Sequence, residues 1–589
     1  MNTPFQANPN NRIRVLYGVI FVICIIIGLR LFYIQVIRHS YYEAQARESQ
    51  LKRYEIPAER GTLFALDGDE KVPLVLNELR YNIVADPQII IDKEETALRV
   101  ADILKVSKDD IKKSLQSGSR YEILGKKQTK DVKEKIEKLM ADGDIIGVFA
   151  ERTVQRVYPQ GTLAAQVLGF VDDESKGRYG IEESLNQDLS GTAGRVRALT
   201  DQNGIPLLAN GENVQEDPID GKDVTLTIDV AMQKQAENIL QDGLKNANSN
   251  SGSVIIVNPN NGQIKALANY PSYNPAEFQK VEDTAIFTNP AVSSLLEPGS
   301  IMKTLTLAAG LDSGSVTKDQ TYYDPSFWKI GDATVRNVEE DGGAAVRSMS
   351  DILRYSLNTG ATWLIMQMGG GELNQKGREA WYDYLTNHYG LGKVTNIEQG
   401  YEEPGYIANP VEGYGLNIQY ANSSFGQGIL TTSLQMAMAV SAVVNGGTYY
   451  QPTLVAGKTD SDRIYAENKP KIVYNKTVST EVSATLVDYM QVALNNNNLL
   501  KKFGRPGYIV GGKTGTAEIA NPAGGYYEDR FNGTYVGFVG GDRPEYVIMV
   551  RVDEPKVSGY AGTTAAGPIF GSVVTMLIDN FSVQARNGQ

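Results

Sequence analysis

Cysteine and histidine are almost missing from this sequence. One cysteine, Cys24, and two histidines, His39 and His388, occur in 589 residues. Cys24 sits in an apolar stretch, so the folded remainder has no disulfide and no cysteine metal site. Two histidines exclude a histidine-rich metal centre, and a Ser-His-Asp triad has only His388 to build on. Acyl-transfer or hydrolytic chemistry here needs another base. Net positive charge is lacking as well. A formal charge of −12 and a pI near 5.0 leave no general basic surface, which argues against a nucleic-acid partner. No internal repeat or low-complexity tract occurs, and the polar start MNTPFQANPNN reads as disordered.

What is present begins with one long apolar run. Val15 to Val36, VLYGVIFVICIIIGLRLFYIQV, has about the length of the roughly 20 residues that cross a bilayer core. Its one charge, Arg30, lies in the second half beside Tyr33, placed to snorkel to the interface or to face a partner helix. Arg12 and Arg14 precede the run and no acid does, so the expected topology is a cytoplasmic tail (1–14), an uncleaved span (15–37) and an extracytoplasmic remainder.

From Ser40 to about Asp217 the chain is charged and mixed. Helical patterns such as KDVKEKIEKLM alternate with strand-like RYNIVA and GVFAER. The composition shifts near Gly221. TLTIDVAMQKQAENIL reads as strand then helix, and GSVIIVNPNNGQIKALA as a hairpin turning at Asn260-Asn261-Gly262. TYVGFVGG and EYVIMVRVDEP form another strand pair, and PIFGSVVTMLIDNF closes as an amphipathic helix. The expected fold is α+β and multidomain, with an elongated module at 38–217 and an antiparallel sheet covered by helices at 218–589.

Three short elements carry chemistry. In EPGSIMKT, Ser300 opens a helix, and one turn separates it from Lys303, so the two side chains share a face. A neutral lysine amine can take a serine proton, provided that burial and a neighbouring cation lower its pKa. Ser-x-x-Lys alone is common on exposed helix faces. SLNTG places Ser356, able to relay a proton, near Asn358, able to hold an amide. Taken alone it is an ordinary helix C-terminus. In GGKTGTAE the glycines admit a substrate backbone, and Lys513, Thr514 and Thr516, flanking Gly515, can grip a carboxylate. A competing pattern overlaps it: Gly507 to Thr514 fits the phosphate-loop spacing letter by letter. Such a loop needs a helix directly after it, whereas Gly515-Thr516 follow.

Together and in this order, the elements resemble the signature of the penicillin-recognising serine acyl enzymes. The chain is similar to class B penicillin-binding proteins over nearly its whole length. RGTLFALDG at Arg60 to Gly68, RVYPQGTLAAQVLGFV at Arg156 to Val171 and YGIEESLNQDLSG at Tyr179 to Gly191 resemble that family's non-catalytic pedestal. FGQGILTTSLQMAMAVSAVVNGG, at Phe425 to Gly447, resembles a transpeptidase segment. One departure is Ala65-Leu66, where the family often carries Asp-Arg, and it bears on the pedestal's ion pairing, not the chemistry.

The resemblance implies a penicillin-recognising serine transpeptidase domain. Ser300 would attack the carbonyl between two D-alanines of a peptidoglycan stem peptide, with Lys303 as base, Ser356 as relay and Asn358 on a donor amide. Lys513 would supply charge, Thr514 and Thr516 would hold the terminal carboxylate, and the backbone N–H groups of Ser300 and Thr516 would form the oxyanion hole. No metal or organic cofactor is implied. Implied partners are stem peptides, beta-lactams, membrane lipid, a membrane glycosyltransferase of the SEDS type and other division proteins. The ADP run at Ala85 to Pro87 and the GIEESLNQDLSG spacing resemble septal members. Alternatives are an elongation-type transpeptidase, a D,D-carboxypeptidase, a beta-lactam sensor, for which the N-terminal tail is too short, and a non-catalytic division scaffold.

Overall fold

The computed structural model describes residues 9–42, 51–68, 70–199, 214–337, 343–459, 464–521 and 523–586. They fall into two compact units, one of residues 1–59 with 191–221, the other of 60–190 with 222–589.

The first unit carries the apolar helix. It begins at Pro9, so Pro9 to Asn11 of the tail expected to be disordered are helical, while residues 1–8 lie outside the described part. The helix runs to Phe32 and ends in a π-turn at Tyr33–Ile37. An 18-residue window within Ile13–Ile37 has a mean hydropathy of 2.7 and no protein cover, and a helix so apolar and uncovered fits a bilayer. Arg30 lies 5.8 Å from the centre of the Tyr33 ring. The same unit holds a three-stranded antiparallel sheet of Leu51–Ile56, Gly194–Leu199 and Val214–Glu216.

The second unit contains two main sheets. A seven-stranded sheet runs Tyr465–Glu467, Val455–Thr459, Val224–Asp229, Leu63–Asp67, Glu70–Ala85, Glu122–Gln128, with Val148–Val157 also paired to Glu70–Ala85. Val224–Asp229 lies parallel to Leu63–Asp67 across some 160 residues of chain. The expected helix KDVKEKIEKLM spans Lys130–Ala141. Glu182 of the helix Gly180–Ser184 is fully buried and satisfied from two sides. Arg60 Nε donates to its Oε2 at 2.7 Å and Arg156 Nε to its Oε1 at 2.8 Å. Asn77 accepts from Arg156, and Asn186 from Arg60. The ion pairing on which Ala65-Leu66 bears is thus built elsewhere, and Ala65 is plain core.

The second sheet is antiparallel, in the order Ile264–Tyr270, Ser251–Val257, Pro544–Asp553, Tyr526–Gly540, Ile509–Ala520. The hairpin turns at Asn260-Asn261-Gly262 as its sequence predicts, with the Gly262 N–H on the Asn258 carbonyl. Helices Val230–Asn246 and Gly567–Asn580 cover one face; Met232, Leu240, Phe570 and Val574 pack there with Val254 and Ile548. Helices Met302–Asp312 and Ser433–Val444 share a core with Ile255, Phe538 and Met549 from the opposite face. Every residue of Met302–Leu311 is buried, so this helix has no solvent face. The stretch after Met368 is no simple loop: Gln375–Asp383 is helical, and Trp381 is fully buried with its indole N–H on Ser423 Oγ at 3.0 Å.

Candidate active site

Ser300 stands in a 3-10 turn, Gly299–Ile301, that feeds the helix Met302–Asp312. Lys303, one turn on, is 1% exposed and donates to Ser300 Oγ at 2.9 Å. The same Nζ reaches Ser356 Oγ at 3.0 Å and the Ser356 carbonyl at 2.5 Å. Lys513, 4% exposed on the strand Ile509–Ala520, donates to Ser356 Oγ from the other side at 3.0 Å. Two buried lysines thus meet at one serine hydroxyl, and one of them also holds a second serine.

Ser356 is presented by a break between helices, not by a helix C-terminus. The helix Met349–Arg354 starts in a capping box of Ser348 and Asp351 and stops at Tyr355. Ser356 has φ +58°, a conformation that costs a non-glycine residue of order 1 kcal/mol and is found at functional sites. Its carbonyl on Lys303 and the Leu357 N–H on Ile352 hold it there. Asn358 then opens the next helix, Asn358–Met368, half-buried with its Nδ2 on the Arg336 carbonyl at 3.0 Å.

The floor beside Ser300 is made by backbone. Gly299 has φ +63°, and a Cβ there would lie 2.8 Å from the Thr516 carbonyl oxygen, so the peptides of Gly299-Ser300 and Thr516 abut. The Gly299 N–H donates to the Gly426 carbonyl at 3.0 Å. Gly426 has φ +87°, and its Cβ would lie 2.1 Å from the Gly299 oxygen. No side chain fits either position. Thr534 Oγ1 donates to the Pro298 carbonyl at 3.2 Å. Thr514 Oγ1 is 3.4 Å from Lys513 Nζ, and Thr516 Oγ1 accepts the Gly562 N–H at 3.2 Å, which leaves its proton for another acceptor. Residues 509–520 form one continuous strand paired to Tyr526–Gly540, so the phosphate-loop pattern has neither an open cradle nor a following helix.

Sequence reasoning gave no role to two neighbours. Glu297 Oε1 accepts the Gly428 N–H and the Tyr526 hydroxyl, each at 2.9 Å, and Oε2 is buried with no hydrogen-bond partner. Burial pushes its carboxyl above the usual carboxylate range, helped by the charge of Glu518 and opposed by those two hydrogen bonds. Gln427 donates to Glu518 Oε2 at 2.8 Å. Glu297 opens EPGSIMKT and Gln427 lies in FGQG, and neither run names a role for these two side chains by itself. Among the described residues, no group of three His, Cys, Asp or Glu side chains is placed to hold a metal ion.

The arrangement supplies an exposed-edge hydroxyl, an amine in contact with it, a second hydroxyl bridging two amines and a backbone floor. That combination can carry out nucleophilic acyl transfer. Stage V sporulation protein D of Bacillus subtilis is 28% identical over 586 residues, 99% of this chain and 88% of its own length. A protein of Mesostigma viride named as a peptidoglycan D,D-transpeptidase FtsI homolog is 27% identical, covering 93% of this chain and 92% of its own. The crystal structure of penicillin-binding protein 2X from Streptococcus thermophilus superposes with a TM-score of 0.72 at 25% identity, over 90% of this chain and 81% of that one. Residues 55–226 match the penicillin-binding protein dimerisation domain, and residues 252–575, more than half the chain, match the penicillin-binding protein transpeptidase domain: the chain belongs to the penicillin-binding protein transpeptidase family.

Proposed function

We propose that this protein is a peptidoglycan D,D-transpeptidase working through an acyl-enzyme on Ser300. The observation that carries the reading is the shared contact of Lys303 and Lys513 on Ser356 Oγ, with Lys303 also on Ser300 Oγ. A neutral Lys303 takes the Ser300 proton as Oγ attacks the carbonyl of the penultimate D-alanine. The oxyanion is held by the backbone N–H groups of Ser300 and Thr516, worth about 3 kcal/mol per donor in such sites. Ser356 passes a proton to the departing D-alanine nitrogen, and the C–N bond breaks to leave an ester. The amine of a second stem attacks that ester, returns a proton through the same relay and frees Ser300. Asn358 holds a donor amide, and Thr514, Gly515 and Thr516 receive the terminal carboxylate beside the positive charge of Lys513. Beta-lactams enter by the same attack.

We divide the rest of the chain into a pedestal, 38–217, and a transpeptidase domain, 218–589, a reading that the family matches at 55–226 and 252–575 support. The tail, 1–14, lies in the cytoplasm and the catalytic domain outside the bacterial plasma membrane, a reading that rests on Arg12 and Arg14. The Ala85 to Pro87 run and the GIEESLNQDLSG spacing support the septum as the place of work, with a SEDS-type glycosyltransferase and other division proteins as partners.

The test is a product assay on nascent glycan strands with the detergent-solubilised protein and its polymerase partner. Wild type should release D-alanine and yield crosslinked dimers, and Ser300→Ala neither. D-Alanine release with uncrosslinked tetrapeptides as the sole product identifies a carboxypeptidase instead, and equal crosslinking by Ser300→Ala removes the reading.

A further inference from the structure

The Ser-x-Asn turn is braced from behind by a buried carboxylate that the chemistry above does not use. Asp324 ends the strand Thr321–Asp324 and is fully buried. Its oxygens accept the Ser326 backbone N–H at 2.8 Å, Asn337 Nδ2 at 3.0 Å and the Thr359 hydroxyl at 2.7 and 2.8 Å. Asn337 directly follows the strand Ala333–Arg336, and its Oδ1 accepts the Thr359 N–H at 3.0 Å. Leu357, the N-cap residue of the helix Asn358–Met368, has no side-chain cap, so Asn337 caps this helix from a distance.

A carboxylate only accepts hydrogen bonds, and that decides which way the Asn337 amide faces. Its NH2 must point to Asp324, and its oxygen to the first turn of the helix. The adjacent residue is Arg336, whose carbonyl accepts Asn358 Nδ2. Trp328 adds an indole N–H on the Thr359 carbonyl at 3.0 Å. Holding Asn337 therefore holds the neighbouring carbonyl, and with it the plane of the Asn358 amide. One N–H and the oxygen of Asn358 are left for a ligand amide.

We infer that Asp324 is a positioning residue for acylation, acting through Asn337 and Thr359 to orient Asn358, and that it thereby sets the preference of Ser300 for donors carrying an amide next to the reacting carbonyl. The inference rests on the Ser300 acyl-enzyme reading. A residue that only stabilised the fold would slow all donors alike, whereas one that orients Asn358 discriminates among them.

The test compares acylation rate constants of the full chain in detergent for two probes, benzylpenicillin, which has the side-chain amide, and 6-aminopenicillanic acid, which lacks it. Wild type should prefer the first. Asp324→Asn and Asn337→Ala should each reduce that preference about tenfold, the value of roughly one hydrogen bond, as should Asn358→Ala. Adding Asn358→Ala to Asp324→Asn should reduce it no further, and Thr359→Ser, which keeps the hydroxyl, should retain it. Equal slowing with both probes, a preference unchanged in the first two variants, or a preference that survives Asn358→Ala overturns the inference. If Asp324→Asn lacks a cooperative melt, Asn337→Ala decides alone. Wild type that neither probe labels at Ser300 refutes the acyl-enzyme reading itself, which keeps the two failures apart.

Discussion

Two buried polar clusters in this protein use charge in opposite ways. Around Glu182, two arginines close on one fully buried carboxylate, and two asparagines take further guanidinium protons. Both carboxylate oxygens are paired, and Arg156 Nη2 alone of the guanidinium nitrogens there is buried without a hydrogen-bond partner. Around Ser356, two lysines converge on a hydroxyl, and Lys303 also touches the serine that opens its own helix. Buried ion pairs cost desolvation that their attraction only partly offsets, so the first cluster fixes geometry more than it adds stability. Hydroxyls held by amines leave a proton that can move, so the second cluster is organised for reaction. The difference lies in whether the buried basic side chains meet an acceptor-only carboxylate or a group that both donates and accepts.

Substitutions that cross this divide should separate activity from stability. Lys303→Met, which keeps the bulk and removes the amine, should lower penicillin acylation at least about 10³-fold with a melting temperature close to wild type. An unchanged rate would mean that Lys303 is structural, like its counterparts at Glu182. Glu182→Ala should do the reverse. With Arg60 and Arg156 left buried and unpaired, it should cost about 3–5 kcal/mol in denaturant melts, while the folded fraction acylates at the wild-type rate.

Gly426→Ala lies between these extremes. The added Cβ strikes the Gly299 oxygen from a left-handed backbone, so the turn carrying Ser300 must shift. Acylation should fall roughly 10- to 100-fold with a moderate loss of stability. The smallest effect belongs to Glu297→Gln. Glutamine keeps the acceptor for Gly428 and Tyr526 and removes the charge. The Glu297 carboxyl is raised in the fold, so folding favours its protonated form. Ionisation carries no penalty below the unfolded-state value of about 4.3, and the full penalty above the folded value. Glu297→Gln should therefore melt about 1–2 °C above wild type at pH 7.5, and scanning calorimetry should find the gain gone by about pH 4.

How much of this was legible in the sequence depended on separation along the chain. Ser300 and Lys303 are one helical turn apart, Lys513 to Thr516 lie on one strand, and the hairpin at Asn260-Asn261-Gly262 is set by its own turn residues. Local chemistry sufficed for each. The SLN turn was read as a helix end because its helical pattern precedes it, but the φ of Ser356 and the start of a helix at Asn358 are decided by Lys303, Asn337 and Asp324, 22 to 53 residues away. The burial of Trp381 left no sign in its own segment, since its partner is Ser423, 42 residues on. The pairing of Val224–Asp229 with Leu63–Asp67 was equally invisible, because a parallel pairing so far along the chain leaves no turn signal.

The central claim is that Ser300 is the nucleophile. Its most direct test is to incubate the detergent-solubilised protein and Ser300→Ala with a fluorescent penicillin and to map the adduct by mass spectrometry. The account predicts one labelled peptide, containing Ser300, that disappears in a variant whose melting curve matches wild type. A folded wild-type protein that takes no label, or a label that persists elsewhere in Ser300→Ala, would contradict it.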